Sequence, residues 1–121
     1  MSKGGPFAGM WRIVEMELWD RPDFDLLGPA HFTFEKNGLG NFRFIAVEGG
    51  MDCRFGEREG KPIVEFTWMG FDECDPASGR GWAVLEGNAI TGRIFFHTGD
   101  DSAFTARRND AARKRVKGPR Q

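Results

Sequence analysis

The chain has 121 residues, enough for one domain whose core removes roughly 65% of the surface the unfolded chain exposes. It carries twelve Phe, four Trp, no Tyr and seventeen Gly, and its net charge is −1. No run approaches the roughly 20 apolar residues of a membrane-spanning helix, and Met1–Met10 lacks a signal-peptide pattern. No membrane partner is therefore expected, and a cytoplasmic location is. The two cysteines, Cys53 and Cys74, are accordingly read as reduced and unpaired.

The charge is unevenly spread. Residues 107–121 hold seven basic side chains against Asp110, a net +6, whereas residues 1–106 carry a net −7. An acidic body thus ends in a basic tail. A tail of this kind can touch nucleic acid or an anionic membrane, but the body is acidic and no platform of exposed aromatics accompanies it, and a solvated end is the expectation.

Along the chain, apolar and polar residues alternate with period two, and helical periodicity is nearly absent. The first strand runs from Trp11 to Leu18. Arg21 to Pro29 breaks the pattern with two prolines, and reads as a long first loop with one helical turn at most. His31–Glu35 is the second strand, followed by a turn at Asn37–Gly38. Asn41–Ile45 is the third, turning at Glu48–Gly49–Gly50 into Met51–Phe55, the fourth. A turn over Arg58–Lys61 leads to the fifth, Ile63–Trp68.

An acidic loop, Phe71 to Gly79, precedes the sixth strand, Trp82–Leu85. Glu86–Gly87–Asn88 turns into Ile90–His97, and Thr98–Asp101 into the eighth strand, Ser102–Arg107. The many glycines suit turns that need positive φ. Eight strands on short connections describe a meander, and closing it removes two exposed edges. The expected fold is a single closed antiparallel up-and-down β-barrel over residues 9–108, with an N-terminal arm over 1–8 and a disordered basic tail over 109–121. A β-sandwich is the alternative.

Gly9–Met10–Trp11 at the start of the first strand and Arg107 at the end of the last carry a resemblance. The chain resembles the calycins, which include lipocalins, fatty-acid-binding proteins and nitrobindin-like haem barrels. The resemblance implies that Trp11 and Arg107 pack together at the closed barrel end, with Arg108 taking that role if the register slips by one. A guanidinium over an indole face is attracted by it, and its donors can tie down backbone carbonyls. The chain also resembles small bacterial proteins from which no functional residue carries over.

Several side chains are candidates for function. Trp11, Trp68, Trp82 and Phe32, Phe34, Phe42 and Phe44 would wall a binding site, with Glu15, Glu17, Arg43 and His97 as polar anchors. If Trp11 and Ile13 point inward, Glu15 and Glu17 share their face; if Val14, Met16 and Leu18 do, both acids are solvated. His97 is read as a turn residue, and haem ligation through it is the weaker alternative. Asp72, Glu73 and Asp75 have calcium-type oxygens without the spacing of an EF-hand loop, and a solvated turn is expected. His97, Asp100, Asp101 and Ser102 lack the context of a catalytic triad.

The leading functional expectation is a non-catalytic barrel that binds a small, partly apolar molecule, with no cofactor and no metal. A small enzyme using Glu or His as acid–base is the alternative, and a filled interaction module without ligand is a third. The oligomeric state is left open by the sequence, a homodimer included.

Overall fold

The computed structural model describes residues 4–109, so the expected tail lies, from residue 110 onward, outside the described residues. The strands are β1 (Gly9–Met16), β2 (His31–Phe34), β3 (Leu39–Phe44), β4 (Val47–Arg58), β5 (Lys61–Asp72), β6 (Asp75–Glu86), β7 (Ala89–Phe96) and β8 (Asp101–Arg108). Each pairs antiparallel with its neighbours in sequence, and β8 returns to pair with β1. The barrel is closed and up-and-down, and no edge is left open among these strands.

A 3₁₀ turn, Gly5–Phe7, precedes the barrel, and one turn of helix, α1 (Arg21–Phe24), interrupts the long first connection. Pro22 at the helix start and buried Phe24 at its end explain that single turn: the proline sets φ, and the ring anchors the segment in the core.

Rings fill the barrel. Phe32 lies at its centre, with ring centroids of Phe104, Phe42, Phe34 and Phe66 at 4.7, 5.6, 6.0 and 6.1 Å. Phe7 packs against Phe34 and Phe55 at one end, both at 5.7 Å. At the other end Trp19 meets Phe44 at 5.6 Å and Phe96 meets Trp68 at 5.3 Å. Each buried ring contributes roughly 1.5–3 kcal/mol of transfer free energy.

Three local expectations are corrected. The turn expected at Glu48–Gly49–Gly50 lies inside β4, and the chain turns instead at Ile45–Ala46, where Ile45 takes φ 55°. The acidic loop Phe71–Gly79 is a two-residue hairpin at Glu73–Cys74 flanked by the paired Asp72 and Asp75, so β5 and β6 run far beyond their expected ends. In both segments glycines serve as spacers within paired strands rather than as turn formers. A Cβ on Gly49 would lie 2.8 Å from the rings of Phe42 and Trp68, and one on Gly79 would lie 1.8 Å from the Phe95 carbonyl.

The third correction concerns the closing pair. Trp11 is opposite Arg108, and Arg107 is opposite Arg12. Arg107 is exposed, and the Arg108 guanidinium lies 4.2 Å from the Trp11 ring centroid.

Candidate functional site

β1 carries a bulge between Ile13 and Glu15, and this decides where its acids point. Trp11 and Ile13 face inward, Val14 is the extra residue, and Met16 faces inward again. Glu15 and Glu17 are both exposed, so neither enters the core. Glu17 instead binds Arg93 at 3.1 Å, and Arg93 also pairs with Asp101.

The other expected wall and anchor residues divide between the two faces. Trp11 and Trp68 are core residues; the Trp11 indole donates to the Phe7 carbonyl at 2.8 Å, and the Trp68 indole donates to the Phe95 carbonyl at 3.2 Å. Phe32, Phe34, Phe42 and Phe44 are packed on one another in the interior. Trp82 lies on the outer face, opposite Glu65 on β5 and Arg93 on β7. Arg43 is also on the outer face, and His97 is exposed just beyond β7.

Ser102 is fully buried, and its hydroxyl bridges Leu18 N–H and the Ala103 carbonyl. It ties the segment just after β1 to β8. Among the described residues no group of three or more His, Cys, Asp or Glu side chains is placed to hold a metal ion. Burial pushes the Cys53 thiol up to about 12, helped by the Asp52 charge and opposed by Arg54, so this sulfur stays protonated at neutral pH.

With the interior occupied, the hollows lie on the outside. A groove of about 1010 Å³ runs across β3 to β7. Its apolar contributors include Leu39, Met69 and Phe95; its polar ones include Thr67, Arg80 and His97. Leu39 and Met69 are 53% and 72% exposed, large apolar groups that the fold does not cover. The register explains the grouping: Leu39, Asp52, Thr67, Arg80 and Phe95 lie in one row across five strands. Arg80 stacks over the Phe95 ring at 4.2 Å and holds its charge at the groove surface.

A smaller hollow of about 420 Å³ lies beside it, over β2 to β5, between His31, Arg43, Glu48 and Phe71. Of the expected anchors, His97 lines the larger groove and Arg43 the smaller hollow, whereas Leu39, Met69, Phe71, Arg80 and Phe95, which also line them, were not among the expected residues. The available signal was an apolar residue at the outward position of an alternating strand, as at Met69 between Trp68 and Gly70. Compared with family models, with curated proteins and with solved structures, the chain matches none of them.

Proposed function

We propose that this chain is a non-catalytic, calycin-like binding module for a small, partly apolar molecule, and that the ligand lies in the groove outside β3 to β7 rather than within the barrel. The observation that carries this reading is the row Leu39–Asp52–Thr67–Arg80–Phe95 beside Met69, a surface that mixes exposed apolar and polar groups in a groove of about 1010 Å³. Small-molecule sites combine those features over roughly 300–1,000 Å³. The ring-filled interior favours the outer site, because a ligand inside would have to displace Phe32 or its neighbours.

The guanidinium of Arg108 on Trp11 supports the calycin comparison. The protonated Cys53 and the solvated Glu15 and Glu17 favour binding over acid–base chemistry. Two free cysteines accord with a cytoplasmic location.

An apolar anionic naphthalene dye tests the reading. Its fluorescence is expected to rise with the native chain and to fall sharply with Met69→Glu, while Thr91→Glu, outside the groove on β7, leaves it unchanged. Equal dye binding by Met69→Glu and the native chain would overturn the proposal.

A further inference from the structure

The smaller hollow lies over β2 to β5 and is lined by charged, aromatic and glycine residues. Arg43 and Glu48 are directly opposed on β3 and β4, yet they form no ion pair with each other or with any described residue. Opposed charges at that spacing ordinarily meet. Here the guanidinium leans the other way, toward the first connection, where a Cβ on Gly28 would lie 3.0 Å from its Nη2. Its Nε is enclosed and has no hydrogen-bond partner, a costly state for a charged donor.

Across Glu48 in the next register position stands Phe71, 55% exposed. Gly50, exposed on the same outer face, lines the hollow beside these groups, and a Cβ there would meet nothing nearer than 4.0 Å, so little side-chain bulk rises at that point. Cation, carboxylate and exposed ring follow one another along the row Arg43, Glu48, Phe71.

We propose that this hollow binds a free α-amino acid with an apolar side chain. The ligand carboxylate meets Arg43, its ammonium meets Glu48, and its side chain lies against Phe71 beside Gly50. No hydrogen bond ties the guanidinium down, so a turn of the Arg43 side chain presents Nε and one Nη together to a carboxylate. A simple anion would satisfy Arg43 but would face the uncompensated charge of Glu48; a simple amine would do the reverse. A zwitterion satisfies both. The inference stands apart from the larger groove: Gly50 lines both hollows, but Arg43, Glu48 and Phe71 line the smaller one and not the groove.

Amide-resolved NMR titration of the full chain tests it, with L-phenylalanine, 3-phenylpropanoate, phenethylamine and inorganic phosphate as probes. L-phenylalanine is expected to shift the amides of Arg43, Glu48, Gly50 and Phe71. The two probes lacking one charge, and phosphate, are expected to bind at least about tenfold more weakly. Arg43→Gln and Glu48→Gln, each checked for a native spectrum, are expected to lose the L-phenylalanine response while still binding the naphthalene dye. No response to L-phenylalanine, an equal response to 3-phenylpropanoate or phosphate, or full binding by both folded variants would each overturn the proposal.

Discussion

The Arg108 guanidinium covers the Trp11 ring at 4.2 Å while donating to the carbonyls of Ala8 at 2.9 Å and Pro6 at 2.7 Å. One side chain at the end of the last strand therefore holds the start of the first and the arm that plugs the barrel with Phe7. Removing it strips two charge-assisted hydrogen bonds and a cation–π contact at once. Arg108→Ala is expected to destabilise the fold by about 2–4 kcal/mol, and Arg107→Ala by less than about 0.5 kcal/mol. Urea unfolding of the two variants checks this, and equal losses would refute the assignment of the closing residue.

The first connection is latched by Asp25, which accepts from Arg12 at 2.9 and 2.6 Å and from the Ala30 amide at 2.9 Å. Burial pushes its carboxyl up, but the Arg12 hydrogen bonds, the Ala30 amide and the charges of Arg12 and Arg21 outweigh that and hold it below its ordinary value. Because the folded pKa lies below the unfolded one, the stabilisation is complete above the unfolded value. It is lost as pH falls from about 4 through the folded value. Asp25→Asn is expected to cost about 1–3 kcal/mol at neutral pH and to flatten the acid limb of the stability profile. An unchanged acid limb in the variant would contradict the latch.

Glycine content is a packing device in this barrel. A Cβ on Gly92 would lie 1.8 Å from the Trp82 carbonyl, backbone that cannot yield without parting β6 from β7. On Gly56 it would lie 3.8 Å from the Ile63 side chain, an ordinary contact. Gly92→Ala is expected to destabilise by about 3 kcal/mol or to prevent folding, and Gly56→Ala to be neutral or slightly stabilising. Thermal melts of the pair decide the matter, and similar melting temperatures would argue against strand crowding at Gly92.

The two thiols should react very differently. Cys53 is buried and its thiol is pushed up to about 12, whereas Cys74 is exposed at a hairpin tip. Titration with a disulfide reagent at mildly alkaline pH is expected to modify Cys74 promptly and Cys53 only in denaturant. Equal rates in the native protein would place Cys53 outside the core.

The number and order of the strands were legible because alternation is a local signal, repeated in His31–Phe34 and in Ile63–Trp68. The faces were not always so. At β1 the bulge at Val14 shifts the alternation by one residue, which no period-two rule can place without knowing the partner strand. Glycine has two uses, positive φ and absence of a side chain. At Gly60 and Gly87 the first applies, and at Gly49 and Gly79 the second, a distinction made by neighbours distant in sequence. The outer groove was not legible, because it is assembled from single residues on five strands.

The central claim, a filled barrel that binds on its outside, is tested most directly by amide-resolved NMR of the native chain titrated with the naphthalene dye. Shift changes are expected at Thr67, Met69, Arg80, Phe95 and His97, with Phe32, Phe66 and Phe104 unmoved. Changes centred on Phe32, Phe66 and Phe104 would place the ligand inside the barrel and contradict the account.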